Sequence, residues 1–291
     1  MDYIFAINEA LTKKNLAPRT RTAYLTYLRP YLEYLSSAGI TPEEASWQDM
    51  INFISFIQSE RDLSDRTVNM IISYLQFFQV YVVHKEWNAS QIPFRKFDTF
   101  LPYVPSDDVI RSILAAAPDG KFYLITAMLY ATGMRLDELC HLKCADIYHT
   151  SGKIHIRRSK NHTDRYIPLP ESIWKLILSY WNSLPSNLRP RDWLFTQQTR
   201  LDHPMDKQRY QGQLIQIRKN LHLDGRLSAH SFRHAYASRC YANGMDLITL
   251  KAYLGHKSIN STCIYIQLAA SGKSGYVSPF DQLINGEDSH A

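Results

Sequence analysis

Apolar side chains recur at helical spacing through the first ninety residues of the chain. Tyr24, Leu25, Leu28, Leu32 and Leu35 form one stripe, the period that lays a single helix face against a core. Trp47, Met50, Ile51, Ile54 and Ile57 form a second, opened by Ser46 with Asp49 three residues on as a capping partner. Ser64 opens a third, with Val68, Ile71, Ile72, Leu75 and Phe78 turned inward. No two-residue alternation interrupts these stripes, so the pattern predicts a compact module of four or five helices over 1–92. Pro93, Pro102 and Pro105, with Arg95 and Lys96 among them, break the period and predict a linker over 93–105.

From 106 to 291 the pattern is mixed and predicts a second domain. Ser106-Asp107-Asp108 starts a helix, its acidic residues placed to favour the N-terminus, and helical periodicity runs to about 143. The period then falls to two in Lys153-Ile154-His155-Ile156-Arg157-Arg158 and again in Arg165-Tyr166-Ile167-Pro168-Leu169. The polar residues 159–164 between them predict the turn of a β-hairpin. Helical spacing resumes near 171–183, 206–220, 230–243 and 246–254. The expected fold is therefore mainly α with a small β-sheet, in two domains.

Composition narrows the class. A 45% hydrophobic and 21% charged chain of 291 residues is that of a globular protein with real cores. No apolar run approaches the roughly 18 residues of a membrane span, and the start has no basic-then-apolar leader, so a cytoplasmic location is expected. Cys140, Cys144, Cys240 and Cys263 do not form a disulfide framework. Cys140 and Cys144 flank His141 one helical turn apart, but no second ligand pair follows, so buried helix residues are expected rather than zinc. The net charge is +6, and its distribution matters more. The first 100 residues carry 10 basic and 11 acidic side chains, leaving 23 and 16 for the rest. The basic excess lies with the second domain, a mild bias that fits a polyanionic partner.

Four segments of that domain carry candidate chemistry. In Tyr130-Ala131-Thr132-Gly133-Met134-Arg135, Gly133 lets one helix end and another begin, placing Arg135 in the first turn of the new helix with Glu138 on its face. An Arg there opposes the helix dipole; a bound anion or a plain Arg135–Glu138 surface pair would each account for it. Lys160 sits in the hairpin turn. His230 and Arg233 share a helix face, one proton carrier and one fixed cation, although a solvated helix start reads equally well. Leu254-Gly255-His256 is followed nine residues on by Tyr265.

In order and spacing these segments resemble the tyrosine recombinase (phage integrase) family, through Ala-Thr-Gly-x-Arg-x-x-Glu-Leu, Lys, His-x-x-Arg, and Leu-Gly-His followed by Tyr. The likeness is dense over 106–268 and loose over the first ninety residues, which resemble the family's helical, SAM-like core-binding domain through Arg19-Thr20 and patterning. It implies an α+β catalytic domain and a site-specific enzyme that cuts and rejoins duplex DNA through a covalent 3′-phosphotyrosyl bond. Arg135 and Arg233 would clamp the scissile phosphate, His256 would add a hydrogen bond, and His230 would assist proton transfer. Lys160 would protonate the departing 5′ oxygen, Tyr265 would attack, and Glu138 would orient Arg135. The implied partner is DNA bearing recombination sites, with four protomers assembled on it in the simple two-domain layout. Covalent capture conserves the bond energy, so no ATP, metal or other cofactor is expected.

Several departures matter. The family's hairpin often reads Gly-Lys-Gly-x-Lys-x-Arg, whereas here it is Ser159-Lys160-Asn161-His162-Thr163-Asp164-Arg165. His234 is expected to be structural, because adjacent helix residues face different ways. Tyr276 lacks the spacing to His256, and a short helix from Ser278 would carry Phe280 and Leu283 onto a neighbouring subunit. Two other readings remain open: a DNA-binding protein of the same fold without catalysis, and the related type IB topoisomerase or telomere-resolvase chemistry.

Overall fold

A computed structural model describes residues 2–98, 100–157, 164–197 and 200–270. The chain divides into two compact units, Met1–Phe100 and Leu101–Ala291. Lys160, His162, Tyr276 and the predicted tail helix lie outside the described residues.

Among the described residues the first unit contains four helices: α1 (Tyr3–Lys13), α2 (Pro18–Ser37), α3 (Trp47–Arg61) and α4 (Asp65–Tyr81). Each predicted stripe faces its core. Leu28 and Leu35 of α2, Met50, Ile54 and Ile57 of α3, and Val68, Ile71, Ile72, Leu75 and Phe78 of α4 are all buried together. The Ser46–Asp49 capping box forms, and the Ser64 hydroxyl accepts from the Thr67 amide. After Pro93 the described residues have no regular secondary structure, but Arg95 is tied to α4. Asn69 donates to the Arg95 carbonyl at 2.9 Å and accepts from its amide at 2.8 Å, while the Arg95 guanidinium meets Asp65 at 2.9 Å.

The second unit is helical around a small sheet. Its elements begin with α5 (Asp107–Ala115), α6 (Gly120–Thr132) and α7 (Leu136–Cys140). Strands β1 (Ile147–Tyr148), β2 (Lys153–Ile156) and β3 (Arg165–Pro168) follow as an antiparallel sheet in sequence order. Helices α8 (Glu171–Ser183), α9 (Lys207–Asn220), α10 (Ala229–Ala242), α11 (Leu247–Leu254) and α12 (Asn260–Ala270) follow among the described residues. Two elements were not predicted. Strand β1 is only two residues long, too short to show a period, and α12 lies in a segment whose hydrophobic pattern is weak.

The β2–β3 register pairs Ile154 with Ile167 and Ile156 with Arg165. Ile154, Ile156 and Ile167 are buried. Because side chains alternate across a strand, the parity that buries Ile167 also turns Arg165 inward. Helix α10 packs against both α6 and α12. Its closeness to α6 requires Gly133, whose φ is +63° and where an added Cβ would lie 2.3 Å from the Tyr236 ring. Cys140 is buried, and burial pushes its thiol up to about 12, as a packing residue requires. No helix among the described residues is long and apolar enough to cross a membrane.

Candidate active site

Two left-handed glycine turns set the site. Gly133 ends α6 and presents Met134 and Arg135; Gly255 ends α11 with φ +64° and presents His256. Between them runs α10, with His230, Arg233 and His234 near its start. Ser228 and Ser231 cap that start reciprocally, the Ser228 amide donating to the Ser231 hydroxyl at 3.1 Å.

Arg233 joins the two turns. It is 1% exposed, and its guanidinium donates to the Gly133 carbonyl at 2.8 Å and to the Leu254 carbonyl at 2.6 Å. Its Nε is buried without a hydrogen-bond partner among the described residues. Burial, with Arg135 nearby, draws the guanidinium down to about 10, so it remains a cation at neutral pH. Two of its five N–H groups are thus committed to the glycine turns, and Nε–H is uncommitted, in a fixed cationic fork.

Arg135 is the N-cap of α7, one position before the first turn in which it was expected. Its amide donates to Glu138 Oε2 at 3.0 Å and its guanidinium to Glu138 Oε1 at 2.7 Å. Arg165 grips the same carboxylate in a bidentate pair, at 3.0 and 2.7 Å, and donates through Nε to the Tyr253 carbonyl at 2.7 Å. Burial alone would raise the Glu138 pKa, but hydrogen bonds from Arg165 and Arg135 and their charges outweigh it and hold the group at about 2. Arg165, Arg135 and Arg233 therefore set three cations around one carboxylate, a pocket of positive potential suited to an anion.

Because Glu138 titrates lower when folded, its contribution is fully present above the ordinary glutamate range and is lost as pH falls toward 2. By linkage that contribution is on the order of 3 kcal/mol. Glu138→Gln is accordingly expected to lower urea stability near pH 7, with the gap to the parent closing between about pH 4.5 and pH 2. A gap that stays constant across that range would contradict the assignment.

Three imidazoles and a phenol surround the two arginines. His256 Nδ1 lies 3.0 Å from the buried Thr262 hydroxyl, and its ring lies parallel to that of Tyr265 at 6.4 Å. Burial, then Arg233 and Arg135, brings His256 down to about 3. Burial and the same arginines lower His230. All three histidines are neutral at neutral pH, since burial and His230 also bring His234 down to about 4. Tyr265, on α12, is 1% exposed and packs with Tyr236, Leu250 and Leu254. Burial raises its pKa while Arg233 and Arg135 pull it back. Its hydroxyl lies 3.2 Å from His234 Nδ1.

Arg135, Glu138, His230, Arg233, His256 and Tyr265, widely spaced in sequence, thus converge; Lys160 lies outside the described residues. Three members were not assigned from sequence. Arg165 was legible in its shared strand parity with Ile167, which put a guanidinium on a buried face. His234 does not simply face away as expected, because it lies one helical turn after His230, on the same side of α10. Thr262 had no sequence signal. Among the described residues no group of three or more His, Cys, Asp or Glu lies together in a way that would hold a metal.

The family model described as "Phage integrase family" matches residues 106–271, and one for a "Phage integrase, N-terminal SAM-like domain" matches 4–89. A putative integrase/recombinase, y4qK, of Sinorhizobium fredii is 26% identical, over 95% of this chain and 88% of its own length. Tyrosine recombinase XerA of Pyrococcus furiosus is 25% identical, over 95% of this chain and 100% of its own. Among solved structures, a lambda integrase dimer bound to a core site superposes with TM-score 0.74 at 17% identity, covering 95% of this chain and 79% of that one. A Tn1549 transposon integrase with transposon right-end DNA does so with TM-score 0.71 at 18% identity, covering 100% of both. At these identities the structural likeness concerns the fold.

Proposed function

The chain belongs to the phage integrase family, and from that premise we propose that it is a site-specific tyrosine recombinase that cuts and rejoins duplex DNA. The observation that carries the reading is the convergence of Arg135, Arg233 and the Tyr265 ring around one positive pocket. In the proposed reaction the Tyr265 oxygen attacks a backbone phosphorus, forming an O–P bond as the bond to the 5′ oxygen breaks. The product is a 3′-phosphotyrosyl link, and attack on it by a free 5′ hydroxyl reverses the step.

Negative charge grows on the non-bridging oxygens in the transition state, so fixed donors aimed there give most of the acceleration. Arg135 and Arg233 fill that role, Glu138 orients Arg135, and His256 adds a neutral hydrogen bond. His230, uncharged at neutral pH, assists proton transfer. Lys160 protonates the departing oxygen. The DNA partner carries recombination sites, on which four protomers assemble. Affinity drawn from Lys and Arg contacts to phosphates falls steeply with salt.

The test is a DNA site nicked so that the cleaved fragment diffuses away. A protein–DNA adduct surviving denaturation, with peptide mapping to Tyr265, supports the reading. Retained binding with no adduct would instead leave a non-catalytic DNA-binding protein of the same fold.

A further inference from the structure

Resting on that reading, we propose that His234 positions the nucleophile, its Nδ1 accepting a hydrogen bond from the Tyr265 hydroxyl and fixing where that oxygen sits. The geometry is direct: the two atoms are 3.2 Å apart and the ring centroids 5.9 Å apart. His234 is itself held. The His230 ring meets it edge-on at 4.7 Å, one turn back on α10, and the flanking Arg233 is anchored at both glycine turns.

The direction of the bond follows from what each group offers. A phenol has one proton and needs an acceptor when buried, and a neutral imidazole has one acceptor nitrogen. Donation from the hydroxyl to Nδ1 satisfies both groups and leaves the oxygen's lone pairs free for phosphorus. Donation the other way would occupy a lone pair and strand the phenolic proton. Neutrality of His234 agrees, since a protonated ring would have no acceptor.

Packing of the ring by Tyr236, Leu250 and Leu254 places the phenolic oxygen but leaves the O–H bond free to turn about the C–O bond. A second anchor at the oxygen keeps it beside the two arginines, where orientation is worth most. His234 acts here through Tyr265 and is a positioning residue: the bond sets the hydroxyl before attack, and the phenolic proton leaves it as the O–P bond forms, with His230, one turn back on α10, as the base of the proposed reaction.

Three variants separate positioning from proton transfer and from bulk. In His234→Asn the amide oxygen stands close to where Nδ1 stood; in His234→Gln the amide reaches the place of Nε2; His234→Leu keeps volume and has no acceptor. On the nicked DNA site, at saturating protein, His234→Leu and His234→Gln are expected to form adduct about tenfold more slowly, with DNA affinity unchanged. His234→Asn is expected to stay within about threefold of the parent. Parent-like rates in His234→Leu would overturn the inference. So would His234→Asn as slow as His234→Leu, since the imidazole itself would then be required.

A second readout does not depend on cleavage. In DNA-free protein, the ¹⁵N shift of His234 Nδ1 is expected to move toward that of a nitrogen with no bound donor when Tyr265 is replaced by Phe. An unchanged shift refutes the hydrogen bond. If the parent forms no adduct at all, the recombinase reading falls, and the nitrogen shift alone decides whether His234 holds the hydroxyl.

Discussion

Replacing Tyr265 by Phe is expected to abolish covalent capture of DNA, by on the order of 10⁴-fold or more, as removal of a nucleophile does in other covalent enzymes. The substitution deletes one oxygen and leaves the ring. Since that ring is almost wholly covered by Tyr236, Leu250 and Leu254, packing is retained. Among the described residues the hydroxyl's hydrogen-bond partner is His234, so the expected stability loss is about 1 kcal/mol, the net worth of an ordinary hydrogen bond. DNA binding should be unchanged, because the phosphate is held by cations and the phenol adds no charge near neutral pH. The measurement pairs a gel shift with adduct formation on the nicked site. Cleavage persisting at the parental rate would remove Tyr265 from the reaction.

Arg233→Lys is expected to slow cleavage by about two to three orders of magnitude, the usual effect of losing one transition-state donor. Charge is conserved, so the loss reports geometry. The guanidinium reaches two carbonyls about a hundred and about twenty residues away in sequence and still has Nε to offer. An ammonium is a point charge on a flexible stem and cannot hold both turns while facing an anion. At least one buried carbonyl should be left without a partner, lowering urea stability by about 1–3 kcal/mol. Single-turnover cleavage with saturating protein separates this from weaker binding. A rate within threefold of the parent would mean that the fork is not what the reaction uses.

The acidic end of the cluster answers the same logic in the opposite direction. Glu138 touches two guanidinium groups, so neutralising it releases both Arg135 and Arg165. The pair Arg165–Glu138 also steadies the turn that carries His256. Arg165 donates to the Tyr253 carbonyl, and an added Cβ at Gly255 would meet its guanidinium at 3.0 Å. That turn therefore accepts no side chain at 255 without displacing Arg165.

The sequence by itself determined three helices of the first unit, α2, α3 and α4, because their apolar stripes and the caps at Ser46 and Ser64 are local. Apolar spacing of 3.6 residues names the buried face before any partner is known. It also determined the chemical types and chain order of the candidate site, Arg135 with Glu138, His230 with Arg233, and Leu254-Gly255-His256 ahead of Tyr265. Spacing along one element says which residues share a face, and no more. Which faces meet was decided by tertiary packing, with α10 lying against both α6 and α12. That packing buried Arg233 between two glycine turns, brought Arg165 of β3 onto Glu138, and set His234 against the Tyr265 hydroxyl. Each of these contacts joins residues 21 or more apart in sequence, and bringing such distant groups together depends on burial of the whole core, which no local pattern records.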